Sequence, residues 1–449
     1  MTIVKRFALN SLVLLSLAQF GKFFSHFGMR TLFILYLVEH LYYLEEEALC
    51  INALLFALIE LGGVFGGVLA DRYLGLQRAL LVGACFLALG YLSLLVEGGL
   101  FLFMGLLTTG GSFFSGNIMA LVGNYEKKQG KEGAFSFFYV AQNAGALVAT
   151  TLCSILALRY GFFVAFAASA SGMLVSCTLL FLYKKQIKGL ENSLEKKAGR
   201  LFSLGLFSVI FFASLAIFYE KGFFLPLLPY ITISIFFFYI LCLFKELAHR
   251  EIRRLVFYLS ALIVFFAVED QICSSLILFS ESVDHHIFGT EVPSSLIMTL
   301  NPVVILIFGS LLRKKRGSLV IPFYLSAVGF GGLFLFCLFS VKFLFLGAVG
   351  ATIVLSFSEV LLGPFIFSGI AKVTGKKNTG MIMGLIPIAF SLAFQLSGVL
   401  SKMIVVGTEG GSLHVYGLGF GKVALLLLGG GVLFHCTQIR IKDSHLSFT

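Results

Sequence analysis

AFSFFYVAQNAGALVATTLCSILALRYGFFVAFAASASGMLVSCTLLFLY, residues Ala134 to Tyr183, holds a single formally charged side chain, Arg159. An apolar run lies on either side of it, Ala134 to Ala157 and Gly161 to Tyr183. Each matches the ~20 residues that an α-helix needs to cross the hydrocarbon core of a bilayer. The stretch reads as two membrane helices joined by a tight turn. The same pattern fills the chain. Before it lie Leu9 to Val38, Leu49 to Ala70, Ala79 to Val96 and Leu100 to Val122, completing a six-helix half. The charged segment Lys184 to Arg200 then leads to an apolar hairpin, Leu201 to Phe218 and Phe223 to Phe244, followed by the charged stretch Lys245 to Arg254. Six more spans follow: Leu255 to Ser280, Val292 to Leu312, Leu319 to Val341, Phe343 to Ile370, Thr379 to Met403 and Leu418 to Cys436. The count is fourteen.

Composition agrees. Of 449 residues, 59% are hydrophobic and 12% charged, with a mean hydropathy of +1.00, roughly half the charge of a soluble protein. A water-soluble globular fold is excluded, and a large soluble domain does not fit. The net charge of +11 does not point to nucleic acid, because the basic residues punctuate apolar runs instead of forming a tract. Nearly all Lys and Arg outside the spans fall on one side of the alternation, from Lys5 and Arg6 to Arg440 and Lys442; only Arg159, Lys221, Lys342, Lys402 and Lys422 fall on the other. This asymmetry places both termini in the cytoplasm. Gln19 and Lys22 interrupt the first apolar stretch and no small-residue cleavage site follows, so it reads as the first membrane helix and not as a removable signal. Eight cysteines are scattered without a CxxC or a nearby His at metal spacing, and read as buried thiols.

Lys22, Arg30, Glu60, Glu269, Asp270 and Glu359 fall within the predicted spans. Each costs roughly 2.5 to 3.5 kcal/mol at a helix centre even on a lenient scale, so they must face one another or a water-filled cavity. Gln19, Lys22, His26 and Arg30 form one polar stripe along the first helix. Ser112, Ser115 and Asn117, then Tyr139, Gln142 and Asn143, then Ser274 and Ser275, and Asn301 before Pro302 add polar groups. Lone Ser and Asn residues read as glue between helices, whereas Lys22, Asp270 and Glu359 read as functional, since packing seldom needs a full charge. Arg30 and Glu269 have the option of snorkelling from span ends. A cavity with cations, carboxylates and amides suits a small zwitterion. No HExxH, nucleophile elbow or metal cluster points to an enzyme.

Several segments resemble the proton-dependent oligopeptide transporters of the major facilitator superfamily. FSHFGMRTLFILYL (Phe24 to Leu37) is similar to the family's first-helix FSYYGMR segment, GGVLADRYLG (Gly66 to Gly75) to its GGxxADRxLG loop, and AFSFFYVAQNAGAL (Ala134 to Leu147) to its fifth-helix FSxFYxxINxGA signature. AVEDQICSS (Ala267 to Ser275), FGTEVPSSLIMTLNP (Phe288 to Pro302) and SEVLLGPFIFSGIAKV (Ser358 to Val373) resemble the seventh, eighth and tenth helices. The resemblance implies an all-α integral membrane protein of the major facilitator fold. It has two six-helix bundles, residues 1–183 and 255–449, and a linker with a two-helix insertion over 184–254. It further implies that Asn143, Asn301 and Glu359 hold a peptide's amino group and that Arg30 serves its carboxylate. Asp270, Asp71 and Arg72 would take part in coupling and gating, and because Gln19 cannot titrate, Glu359 is expected to share the coupling, with Glu60 in the same set.

The departures are specific. The family's first-helix ExxER falls on Gln19, Phe20, Gly21, Lys22 and Phe23, its fourth-helix lysine on Ser115, and a second-helix tyrosine on Glu60. Two readings of the new charges stay open: Lys22 pairs with Glu60 inside the membrane, or Lys22 binds the substrate carboxylate, with Tyr139 beside it in the binding set. The expected function is alternating-access import of di- and tripeptides in the cell (inner) membrane, proton-coupled through an altered network. The alternatives are transport of another small zwitterion or amine without tight coupling, and a transport-dead membrane sensor. The expected partners are a small peptide, protons and the lipid bilayer. Neither nucleic acid, a cofactor nor a metal is expected, and the chain should be a monomer.

Overall fold

The computed structural model describes residues 10–129, 133–190, 200–244, 247–287, 289–311, 319–339, 343–373, 379–405 and 413–443. Lys5, Arg6, the basic run Arg313 to Arg316, Lys342, Phe288 and most of the charged linker therefore lie outside the described residues. The helices are α1 (Ser11–Leu35), α2 (Glu45–Leu69), α3 (Leu76–Ser93), α4 (Leu100–Gln129), α5 (Ala134–Tyr160), α6 (Phe162–Leu182), α7 (Lys184–Leu190), α8 (Arg200–Tyr219), α9 (Lys221–Leu243), α10 (His249–Glu269), α11 (Ser275–Glu281), α12 (Leu300–Leu311), α13 (Ile321–Leu338), α14 (Leu344–Val373), α15 (Thr379–Val405) and α16 (Leu413–Asp443). One π-helical turn follows α1 (Tyr36–His40) and another follows α2 (Ala70–Leu74). Among the described residues ten helices are long and apolar enough to cross a membrane. The other four expected spans are also helical: α1 and α4 are long but interrupted by polar residues, and α8 and α12 are shorter and apolar. The chain is an all-α, multi-pass membrane protein.

Two of the expected spans differ from straight helices. The run Leu255 to Ser280 is broken: α10 ends at Glu269, residues Asp270–Cys273 form a 3₁₀ turn, and the chain leaves helical geometry at Ser274 before α11. The run Val292 to Leu312 becomes an α-helix only at Leu300. Before it come a two-residue antiparallel hairpin, β1 (His286–Ile287) with β2 (Thr290–Glu291), and a 3₁₀ segment, Ser294–Thr299. Gly289 takes a positive φ of 77° in the hairpin turn, a conformation glycine adopts freely. Pro293 disfavours helical geometry at the residue before it. Pro302 then sits in the first turn of α12, where its missing N–H costs nothing.

The chain folds as two compact units. The first comprises Met1–Leu32 and Leu58–Leu228, the second Phe33–Ala57 and Pro229–Thr449. In the first unit α3 packs on α4 and α6, α5 on α6, and α4 on α8. Small residues allow close approach: Ser25 and Ser169 exchange hydroxyl-to-carbonyl hydrogen bonds at 2.6 Å each, and the Ser176 hydroxyl donates to the Ala18 carbonyl at 2.9 Å. Such contacts replace the hydrophobic drive that is missing between helices in lipid. In the second unit α10 packs on α14 and α15, α13 on α14 and α16, and α12 on α14. The start of α2 belongs here too, where the Tyr416 hydroxyl donates to the Glu45 carboxylate at 3.1 Å.

The α3–α4 contact is backbone against backbone. A side chain at Gly110 would meet the Leu87 amide nitrogen at 2.7 Å and the Gly83 carbonyl at 2.9 Å. Gly110→Val is therefore expected to lower stability by about 1–3 kcal/mol through overpacking, read as a fall in the thermal unfolding midpoint in detergent. Gly116→Val on the same helix, where a side chain enters open space, should cost far less; equal losses would contradict this packing.

Candidate functional site

The first unit gathers the cationic stripe of α1. Lys22 lies over the Phe23 ring at 4.5 Å from its centroid, and Phe23 stacks on Phe27 at 5.6 Å with the His26 ring edge-on to Phe27 at 5.3 Å. Glu60 lies on the part of α2 that belongs to the same unit. Arg30, in the last two turns of α1, is buried at 8% exposure. Where the resembled family carries a glutamate of ExxER, Gln19 donates to the Gln142 amide oxygen at 3.3 Å. A neutral amide pair thereby joins α1 to α5.

On α5, Asn143 is buried and its Nδ2 donates to the Tyr139 carbonyl one turn earlier at 3.0 Å. Its Oδ1 is the atom left to accept. Tyr139 itself is exposed. Ser112 and Asn117 likewise donate back to carbonyls of their own helix, Thr108 at 2.7 Å and Phe113 at 2.7 Å. Their polar groups thus find partners one turn back along the same helix. Asp71 and Arg72 occupy the exposed π-helical turn after α2. Among the described residues neither enters an ion pair.

The second unit carries a pair of carboxylates joined by one amide. The Asn301 amide nitrogen donates to Glu359 Oε2 at 2.8 Å and to Glu269 Oε1 at 3.4 Å. One amide from the first turn of α12 therefore bridges acids on α14 and α10. Glu269, which the sequence left as a snorkelling candidate, belongs to this cluster. Its neighbour Asp270 faces elsewhere: the Ser397 hydroxyl on α15 donates to Asp270 Oδ2 at 2.6 Å, and the carboxylate is 1% exposed. Ser397 and Ser401, spaced one turn apart on α15, were not singled out by the sequence. Their i, i+4 spacing in an otherwise apolar run is the signal that marks them.

Among the described residues there is no group of three or more His, Cys, Asp and Glu able to hold a metal ion. The cysteines are free thiols, but they are not uniformly buried: Cys153, Cys273 and Cys337 are, Cys436 is exposed, and the rest lie between.

A family model described as the POT family matches residues 77–320. Among curated relatives, the uncharacterized transporter YclF of Bacillus subtilis is 27% identical over 74% of this chain and 73% of its own length. Dipeptide and tripeptide permease A of Escherichia coli is 26% identical over 94% of this chain and 92% of its own. Among solved structures, a bacterial homologue of the human drug peptide transporters PepT1 and PepT2 superposes with a TM-score of 0.83 at 22% identity, covering 96% of this chain and 98% of the other. A POT family transporter in complex with 5-aminolevulinic acid superposes at 0.80 and 19% identity, covering 94% and 96%. These superpositions establish the fold.

Proposed function

We propose, from the premise that this chain belongs to the POT family, that it imports di- and tripeptides by alternating access, coupled to protons. The carrying observation is the Asn301 bridge between Glu359 and Glu269. An ammonium has three donors and no acceptor, and two carboxylates held by one amide offer it acceptors and charge together. In this reading Glu359, Asn301 and the Asn143 Oδ1 receive the peptide's amino group, with Tyr139 in the binding set. Arg30 and Lys22 receive its carboxylate, Arg30 through a planar fork and Lys22 as a point charge. Asp270 and Glu359 carry the proton, while Glu60, Asp71 and Arg72 serve gating. Residues 1–183 and 255–449 act as the two bundles and 184–254 as the insertion. The protein works as a monomer in the cell (inner) membrane, with both termini cytoplasmic and no cofactor or nucleic acid.

Binding tests this directly. Dialanine should bind the purified protein, measured by calorimetry, and N-acetyl-dialanine should not. If the acetylated compound binds equally well, the amino-group assignment is wrong. Lys22→Met should weaken dialanine binding about tenfold, the worth of one charge-assisted contact, yet leave dialanine amide nearly unchanged. Equal losses for both ligands would remove Lys22 from the carboxylate site.

A second reading follows from the neutral Gln19–Gln142 pair: a small amine-bearing zwitterion carried without tight coupling. Under it, 5-aminolevulinic acid binds and dialanine does not compete.

A further inference from the structure

The joint between α10 and α11 contains neither proline nor glycine in Asp270–Ser275, so the local chain does not explain why the helix breaks. A network reaching to α15 does. Gln271 Nε2 donates to Ser397 Oγ at 2.9 Å and to the Ser397 carbonyl at 3.2 Å, and Gln271 Oε1 accepts from Ser275 at 2.7 Å and Ser401 at 2.9 Å. Ser274 donates to the Asp270 carbonyl at 3.0 Å and lies 3.1 Å from the Ser401 hydroxyl. Ser397 completes the chain by donating to Asp270 Oδ2 at 2.6 Å. Every member is at most 2% exposed, so water does not compete for these bonds and each is stronger than its counterpart at a surface.

The direction of the bonds is set. Gln271 Nε2 lies against two backbone carbonyls, Ala267 at 3.1 Å and Ser397 at 3.2 Å; since a carbonyl only accepts, the amide has one orientation, its nitrogen toward Ser397. That nitrogen occupies a lone pair of the Ser397 hydroxyl, whose single proton is then aimed at Asp270. A hydroxyl donating to an ionised carboxylate makes a bond roughly twice as strong as one donating to a neutral acid. The tie between the broken helix and α15 therefore tightens when Asp270 is charged and loosens when it is neutral. Apart from Asp270 the network is neutral. The charged and titratable groups on the elements packed around the joint are His249, Arg250, Glu251, Arg253, Arg254 and Glu269 on α10, Glu281 on α11, Glu359 and Lys372 on α14 and Lys402 on α15.

We propose that Ser397, oriented by Gln271, is a positioning residue for proton coupling: it fixes the Asp270 carboxylate and passes its charge state to α15. This rests on the reading of the protein as a proton-coupled peptide transporter with Asp270 in the coupling path.

The test uses full-length protein in liposomes, with labelled dialanine in two assays: uptake driven by an inward proton gradient, and counterflow against preloaded unlabelled dialanine, which needs no net proton movement. Ser397→Ala should lower gradient-driven uptake about tenfold, the worth of one charge-assisted hydrogen bond, and leave counterflow within about twofold of the unchanged protein. Ser397→Thr, which keeps the hydroxyl, should restore driven uptake, and Gln271→Leu should reproduce the alanine defect. If Ser397→Ala takes up dialanine as the unchanged protein does, or loses both assays together without rescue by threonine, the positioning role is wrong while peptide transport stands. If the unchanged protein shows neither activity, the functional reading itself fails and this inference with it.

Discussion

Glu359→Gln is expected to weaken dialanine binding by about tenfold to a hundredfold, since a hydrogen bond to a charged group contributes ~1.5–3 kcal/mol. The carboxylate is held at 2.8 Å by Asn301, and the isosteric amide preserves shape and size while removing the charge. What is lost is therefore the attraction for an ammonium and little packing. The amide also brings two donors of its own into a place where the ligand brings donors, so the loss exceeds that of a neutral acceptor. Calorimetry on the purified variant measures it, with Glu97→Gln, in an exposed loop, as the comparison. Similar affinities for the two variants would remove Glu359 from the amino-group site. Because Glu269 shares the Asn301 bridge, Glu359→Gln should retain weak, measurable binding.

The second large effect is expected at Asp270. Asp270→Asn keeps an oxygen able to accept from Ser397 but cannot gain or lose a proton in the working range. Gradient-driven uptake of dialanine should fall to the level seen without a gradient, while counterflow survives. If driven uptake survives the substitution unchanged, the proton path does not include Asp270.

The positions of the spans were legible in the sequence because lipid imposes a local rule: backbone polar groups must be satisfied inside each segment, and apolar length reports that directly. The breaks were not. AVEDQICSS looks like continuous helix, and the side chains at its interruption find partners on Ser397 and Ser401, more than a hundred residues away in the chain. The hairpin before α12 lies ahead of the expected span, in the polar stretch DHHIFGTE, where Gly289 and the following Pro293 were its signals.

The site divides in the same way. Lys22, Arg30, Glu60, Asp270 and Glu359 stand out because charge in a membrane span is expensive wherever it occurs. Their partners do not stand out, because an amide or hydroxyl costs little and is common. Asn301 was visible as a residue, but its bridging of Glu269 and Glu359 was not. The substitutions at Gln19 and Lys22 were plain as departures, but the contact of Lys22 with the Phe23 ring was not.

Uptake of labelled dialanine into liposomes containing the purified, full-length protein, with and without an inward proton gradient, addresses the central claim most directly. The account predicts accumulation that the gradient increases, that unlabelled di- and tripeptides suppress, and that N-acetyl-dialanine does not. Folded protein that takes up no dialanine under either condition would contradict it.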